Sequence, residues 1–350
     1  MPNLNKRFAD KVTESFVRES LTAGRFSTDY SFSGAKTITV FTPQTVPMSN
    51  YTRSGSGRYG AVTEMEDVVQ ELTLSRDRGF AFTIDKGNNM DQNMLKNAVK
   101  MLALQVSEQA IPEMDRYVLA ALCQQAGTVV ADSEKATKSN ICEKISVATQ
   151  HLDDAEVPAN DRTLFVSAAA YKLLKHSDEF LAVDALAREA LRVGIVGRYD
   201  NMEVVKVPAS RWPAHVNFIV AHKHAATAPV KISDTNIHQD PPGISGTLVE
   251  GRQYYDLFVF GARAEGIYVN VDASDAGGEV CEKPTIGAAG AMDCTTAGAL
   301  IKYTTDGTDP RYSPTAKTGT QSDITSGVTV KAYAFKEGAY PSAVAQAVLS

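Results

Sequence analysis

The strongest constraint on this chain is a change of pattern late in the sequence. Before Asp275-Ala276-Gly277-Gly278, helical and strand patterns alternate, whereas strand patterns alone follow it. Residues 300–304 and 328–334 alternate apolar and polar side chains, and Asp306-Gly307 is a turn dipeptide. The glycine pair is typical of a linker. We therefore predict an α+β body followed by a separate all-β domain at residues 275–350.

Length and charge exclude some classes of function. A chain of 350 residues has room for two domains, at about 150 residues each. The net charge of −6 argues against tight, sequence-independent binding of nucleic acid, because such binding needs a basic face that displaces counterions. No apolar run follows Met1, so we predict neither a signal peptide nor a membrane span. We expect synthesis in the cytoplasm.

Residues 4–21, near the start of the chain, are predicted to form a lone amphipathic helix, which we call the arm helix. Apolar side chains recur about every fourth residue along an amphipathic helix, and we predict that they are assembly contacts: Leu4, Phe8, Val12 and Phe16. A polar stretch that contains glycine follows from residue 22 to 36. Since a lone helix of this kind needs a partner to bury its stripe, the arm indicates contact within the chain or with another subunit.

Residues 36–85 are predicted to form an extended β-hairpin with a large middle loop. Strand patterns cover residues 37–41, 68–74 and 80–84. A long polar loop is rare in a compact domain unless it is functional, and we assign assembly contacts to three of its residues: Arg53, Arg58 and Tyr59. The loop also contains Gly-x-Gly-x-x-Gly at residues 55–60, but no strand precedes it and no helix follows, so we predict a loop tip and not a dinucleotide site.

The rest of the body mixes helices and strands. A long helix is expected at residues 91–125, with Asp91 as N-cap and a kink or a second start at Pro112. Further along we predict helices at 140–152 and 168–174 and strands at 161–166, 202–207, 217–221, 255–260 and 266–271.

Few residues suggest chemistry. His222 and His224 lack nearby carboxylates or cysteines in sequence, so a metal site is not expected. Asp306 and Asp309 fit turns better than a calcium site. Whether Cys281 and Cys294 form a disulfide stays open, and a reducing compartment disfavours it. No hydrolase, P-loop or metalloprotease motif occurs. We predict no catalytic residue, no cofactor and no metal.

The terminal segment resembles the immunoglobulin-like module appended to chitobiases and to many phage and bacterial surface proteins. The strand at 300–304, the Asp306-Gly307 turn and the strand at 328–334 carry the resemblance, which covers residues 280–350. It implies an all-β sandwich displayed on a surface. Tyr312 and Tyr340 would be surface-ligand contacts there, with a host-surface glycan as the ligand.

The body resembles a tailed-bacteriophage major capsid protein over residues 1–272. The likeness lies in the order of four motifs: Phe80-Ala81-Phe82-Thr83-Ile84-Asp85, Met114-Asp115-Arg116-Tyr117-Val118-Leu119, Val157-Pro158 with Arg162–Ser167, and Gly194-Ile195-Val196-Gly197 leading into 202–208. The resemblance implies an N-terminal arm (1–35), an extended loop (36–85), a peripheral domain with a spine helix (86–154), an axial domain (155–250), closing strands of the peripheral domain (251–274) and the decoration domain (275–350).

The two resemblances together imply a subunit that acts by self-assembly and not by catalysis. Its partners would be copies of itself in hexamers and pentamers, with scaffold, portal and decoration proteins as further candidates. The shell would enclose double-stranded DNA without sequence-specific binding, and the protein would be part of the virion after assembly in the host cytoplasm. Two alternatives stay open at this point: an encapsulin-like compartment shell, and a carbohydrate-processing enzyme with an accessory module.

Overall fold

A computed structural model describes residues 19–349, except residues 31, 33–34, 44, 47, 61, 63, 66, 92–96, 178–196, 275–277 and 324–325. The predicted arm helix, the start of the Gly194–Gly197 motif and most of the predicted linker therefore lie outside the described residues. No helix in the described part of the chain is long and apolar enough to span a membrane.

The described helices lie in the first half of the chain. They are α1 (Lys86–Asp91), α2 (Ala98–Gln105), α3 (Ile111–Gln124), α4 (Ile141–Asp154) and α5 (Ala168–Lys175). A π-helical segment, Val106–Ala110, joins α2 to α3 directly before Pro112, so the long predicted helix is continuous here but changes its winding. The N-cap prediction was wrong: Asp91 ends α1, and the Asn97 side chain accepts from the backbone N–H groups at the start of α2.

The strands of the body occupy three main sheets. Their bounds are β1 (Thr37–Pro43), β2 (Asp67–Thr73), β3 (Arg76–Asp85), β4 (Thr128–Asp132), β5 (Arg162–Ser167), β6 (Arg198–Tyr199), β7 (Met202–Val207), β8 (Val216–His222), β9 (Ala226–Thr227), β10 (Val230–Gln239), β11 (Gly246–Tyr255), β12 (Phe258–Val259) and β13 (Ile267–Asp272). Two 3-10 segments, Lys223–Ala225 and Gly261–Gly266, connect strands near β9 and β12.

A six-stranded mixed sheet, in the order β4-β13-β8-β5-β7-β6, forms the centre of the body. Every residue of β8 is buried, because helices cover both faces of the sheet. Ile219 and Ala221 belong to the core cluster that contains residues of α3, whereas Phe218 and Val220 belong to the cluster that contains residues of α4 and α5. This alternation is that of a strand buried between two layers.

A second sheet, in the order β10-β11-β3, changes two predicted boundaries. β3 does not pair with β2, the strand before it, but runs antiparallel to β11 along its whole length, from Gly246 opposite Asp85 to Tyr255 opposite Arg76. The predicted axial range, 155–250, thus contains β10 and the first half of β11, which belong to this sheet and not to the six-stranded one. Conversely, β13 was predicted to close the peripheral domain but lies inside the six-stranded sheet.

The C-terminal segment, which we call the module, contains no described helix. Its strands are β14 (Thr285–Ile286), β15 (Met292–Asp293), β16 (Leu300–Thr304), β17 (Lys317–Thr318), β18 (Thr329–Phe335) and β19 (Ala345–Val348). Four of them form a sheet in the order β17-β16-β18-β19, and β14 pairs with β15. Alternate residues such as Ile301, Tyr303 and Val330 fill the module's own core. The all-β prediction for this segment is confirmed.

Candidate assembly surface

The extended hairpin consists of β1 and β2 and the connection between them. The two strands pair from Thr37 opposite Thr73 to Pro43 opposite Asp67. Beyond the strands, the backbone N–H of Thr52 donates to the carbonyl of Arg58 at 3.0 Å, and the Tyr51 and Tyr59 rings contact edge to face at 5.1 Å. The connection therefore has a tip that is closed by its own contacts.

Exposed apolar side chains concentrate in this hairpin. Seven of the fourteen large hydrophobic residues that are exposed in the described chain lie between residues 41 and 65: Phe41, Val46, Met48, Tyr51, Tyr59, Val62 and Met65. Met48 is 100% exposed, Val62 97% and Tyr59 80%. Single exposed apolar residues are ordinary, but a concentration of them on one element is typical of an interaction surface.

The glycines at the tip allow the backbone to turn and do not form a phosphate-binding loop. Gly55, Gly57 and Gly60 all have positive φ, which glycine adopts without a steric penalty. The next element along the chain is β2, so no helix N-terminus faces these glycines. The Gly-x-Gly-x-x-Gly pattern therefore lacks the strand–turn–helix context that a dinucleotide site requires, as predicted.

A buried carboxylate fixes the base of the hairpin to α3. Asp256 accepts from both the backbone N–H (2.7 Å) and the hydroxyl (2.8 Å) of Ser75, the residue in the turn between β2 and β3. Its other oxygen accepts from the hydroxyl of Tyr117 on α3 at 2.6 Å. Burial, together with this bond, raises the pKa of Tyr117 to about 12, so the phenol stays protonated as the donor.

A second buried carboxylate fixes the base of the N-terminal arm to the same helix. Asp115 on α3 is fully buried and accepts hydrogen bonds from Ser20 Oγ (2.8 Å), Leu21 N (3.0 Å), Thr22 Oγ1 (2.7 Å) and Arg211 Nη1 (2.6 Å). The Arg211 side chain is only 6% exposed. A buried charge is tolerated when it is paired and fully hydrogen-bonded. Residues 20–22 of the predicted arm are therefore held to the body at this carboxylate.

The predicted assembly residues fall into two groups. Arg53, Arg58 and Tyr59 lie at the exposed tip of the hairpin, where Arg58 Nε donates to the Gly55 carbonyl at 3.2 Å. Their contact role stays a prediction. The arm residues lie outside the described residues: Leu4, Phe8, Val12 and Phe16. Sequence reasoning missed Asp115 and Asp256 as anchors, although Asp115 stands inside one of the motifs that carried the resemblance.

Tyr312 and Tyr340, the predicted surface-ligand contacts, both pack against the body. The Tyr312 hydroxyl donates to the carbonyl of Gln125 at 2.7 Å, and the Tyr340 hydroxyl donates to the carbonyl of Ala214. Tyr340 is 8% exposed and belongs to the core of the body. Burial raises the pKa of both phenols. Both side chains therefore have a packing role, and their contact with a surface ligand stays a prediction.

The remaining polar clusters have structural roles. Asp306 accepts from the backbone N–H of Thr308 at 3.0 Å, which is the turn predicted for Asp306-Gly307. Among the described residues, no group of three or more His, Cys, Asp or Glu side chains is arranged to hold a metal ion. Cys281 and Cys294 are free thiols that share one small apolar cluster.

Comparison with solved structures identifies the fold of the body. A structure of Mycobacterium phage Che8 matches with a TM-score of 0.65 at 17% identity, covering 77% of this chain and 97% of that chain. The mature capsid of bacteriophage PhiM1 matches with a TM-score of 0.62 at 14% identity, covering 77% and 92%. The capsid of the cyanophage P-SCSP1u matches with a TM-score of 0.62 at 13% identity, covering 77% and 93%.

Comparison with family models concerns the module alone. Residues 285–346 match the model described as the chitobiase/beta-hexosaminidase C-terminal domain. None of the curated proteins matches the sequence. The predicted fold is thus confirmed: the body has the fold of tailed-phage capsid structures, and the segment after it is similar to a chitobiase/beta-hexosaminidase C-terminal domain.

Proposed function

We propose that this chain is a major capsid protein that self-assembles into the icosahedral shell of a tailed phage. The observation that carries the proposal is the fold of the body, which matches nearly the whole length of a phage structure, 97% of that chain. The subunit would form hexamers and pentamers and enclose double-stranded DNA without reading its sequence. It would act by association and not by catalysis.

The extended hairpin supports this proposal independently of the fold. Its apolar side chains include two that are almost completely exposed, Met48 and Val62. Full burial of one such side chain contributes about 1.5–3 kcal/mol. A neighbouring subunit that covered the hairpin would gain this contribution at each contact, and identical contacts repeated around a symmetry axis close a ring.

The location and the further partners follow from the same proposal. We place the protein in the virion after assembly in the host cytoplasm, with scaffold, portal and decoration proteins as candidate partners. The module would be displayed on the outer surface of the shell. A host-surface glycan is the proposed ligand there, and the predicted contact residues, Tyr312 and Tyr340, are packed against the body.

The test is a pair of charged substitutions on the hairpin with a matched control on the module. Met48→Asp with Val62→Asp should leave the unassembled subunit folded, since both side chains are exposed, yet should abolish particles in electron microscopy and light scattering. Leu300→Asp with Val348→Asp changes two exposed apolar residues of the module and should leave particles intact. Normal particles from the hairpin variant, or wild-type protein that stays a single chain under all assembly conditions, would refute the proposal.

A further inference from the structure

The module contacts the body at the carboxyl end of α3. This helix ends at Gln124 with Gln125 as its C-cap, and the chain leaves the helix through Ala126 and Gly127. Two module residues donate to the carbonyls of these three residues: Tyr312 Oη donates to the carbonyl of Gln125 at 2.7 Å, and Arg311 Nη1 donates to the carbonyls of Ala126 and Gly127 at 3.1 and 2.5 Å. A cation at the carboxyl end of a helix also interacts favourably with the helix dipole.

The charge of Arg311 is balanced inside the module. Its guanidinium holds Asp309 through two nitrogens, Nε at 3.1 Å from Oδ1 and Nη2 at 2.7 Å from Oδ2. The Arg311 side chain is largely buried. The guanidinium that the loop between β16 and β17 places at the helix end is therefore paired with a carboxylate of the same loop. It donates hydrogen bonds to the body without being an unpaired buried charge.

A second contact joins another part of the module to the last residue of the helix. Gln124 Nε2 donates to the carbonyl of Ala339 at 3.2 Å, and the next residue, Tyr340, packs into the core of the body beside residues of α3. The module is therefore attached at two separated positions of its sequence, near residues 311 and 340. Two such attachments fix an orientation, which one would not.

A third contact connects the module to the extended hairpin. Tyr312 packs so closely on Gly261 that a Cβ there would lie 3.1 Å from the tyrosine side chain. The backbone N–H of Gly261 donates to Gln70 Oε1 at 3.0 Å, and Gln70 Nε2 donates to the carbonyl of Val259 at 2.8 Å. Since Gln70 lies in β2, the strand is bonded to the segment of backbone on which the module rests.

We propose that the module is an intrachain brace that holds the carboxyl end of α3 and the base of the extended hairpin in one fixed arrangement. Arg311 and Tyr312 are its contact residues, and the surface formed by residues 124–127 and Gly261 is the site that receives them. The consequence for assembly rests on the proposed shell function, because there the hairpin is the element that reaches a neighbour. A module that projected freely from a flexible linker would not hold the hairpin and the helix end in a fixed arrangement.

The experiment compares hydrogen exchange in unassembled subunits of the full chain. Arg311→Ala with Tyr312→Ala should speed amide exchange at least tenfold in β1, in β2 and at Gly261, and should split the thermal unfolding into two transitions. Lys317→Ala removes an exposed ion pair of the module that does not involve the body, and should change neither measurement. Unchanged exchange in the hairpin of the first variant would overturn the brace.

Two further arms keep the test decisive. If the double variant does not fold, Tyr312→Phe removes only the hydroxyl that donates to the Gln125 carbonyl, and faster exchange at Gly261, whose N–H donates to Gln70, is then expected, whereas wild-type exchange at that amide would overturn the proposal. Because exchange is measured before assembly, a wild-type chain that never forms particles refutes the shell function while it leaves the brace tested on its own.

Discussion

Replacing Asp115 by alanine would measure how strongly the base of the arm is held. The substitution removes the acceptor for four hydrogen bonds and leaves the Arg211 guanidinium without its carboxylate in a place where its side chain is 6% exposed. Removing one partner of a buried ion pair costs about 3–5 kcal/mol. Since native proteins are stable by about 5–15 kcal/mol, this one change would remove a large part of the free energy of unfolding.

The assay is thermal and denaturant unfolding of the unassembled subunit. For domains of this size 1 kcal/mol lowers the midpoint by about 2–4 °C, so a loss of about 3–5 kcal/mol corresponds to about 6–20 °C. The matched control is Asp77→Ala, which breaks the Arg252–Asp77 pair, an Arg–Asp pair with two hydrogen bonds in which both side chains are exposed. Its effect on the midpoint should be hardly measurable, because water screens the exposed pair and replaces its hydrogen bonds.

A double substitution tests whether the cost of Asp115→Ala comes from the unpaired charge of Arg211. Asp115→Ala with Arg211→Met removes the carboxylate and the cation together, so no unpaired charge stays buried, and part of the lost stability should return. The reasoning fails if Asp115→Ala lowers the midpoint no more than Asp77→Ala does. It also fails if the losses from the two single substitutions simply add in the double variant, since residues that share a buried contact should be coupled.

Two other outcomes are expected from the same structure. Tyr117→Phe removes the 2.6 Å bond to Asp256 and should lower the free energy of unfolding, measured with denaturant, by about 1.5 kcal/mol. Because the pKa of Tyr117 is raised to about 12 from about 10 in unfolded chains, the stabilisation by the protonated phenol is complete below about pH 10 and is lost as the pH rises through 12. The wild-type protein should therefore lose more stability than the variant over that range, and equal slopes of stability against pH would contradict the assignment. Gly127→Ala would place a Cβ 2.2 Å from the carbonyl oxygen of Ala264 and should yield little soluble protein. Gly197→Ala, whose Cβ would meet no atom of the described residues within 4 Å, should express normally. Equal yields would show that the backbone at Gly127 relaxes freely.

Local patterns predicted most of the elements in the body. The strand at 202–207 and the helix at 168–174 agree with β7 and α5 within a residue, because their apolar periodicity records which face is buried. β10 was missed, since most of its residues are exposed and its sequence, VKISDTNIHQ, is largely polar. A strand whose two faces both meet water leaves little period-2 signal.

Pairing and docking could not be predicted in this way. β3 follows β2 after a two-residue turn, so a local hairpin was the natural expectation, yet β3 pairs with β11, which is far away in sequence. Tyr312 follows a turn in a domain that was expected to project freely, and nothing in its neighbours indicates that its partner is the carbonyl of Gln125. Such contacts depend on surfaces that exist only after both parts have folded.

The three elements attached to the body converge on one helix. The arm is held at Asp115, the extended hairpin at Tyr117, and the module at the carbonyls that follow Gln124. Residues 115 and 117 are two positions apart, so they point in directions about 200° apart around the helix axis. The arm and the hairpin can therefore attach to opposite sides of α3 without competing for space, and the module closes the remaining end. Under the brace proposal, a displacement of the module therefore shifts the helix to which the hairpin is also bonded. This route adds to the direct contact through Gly261.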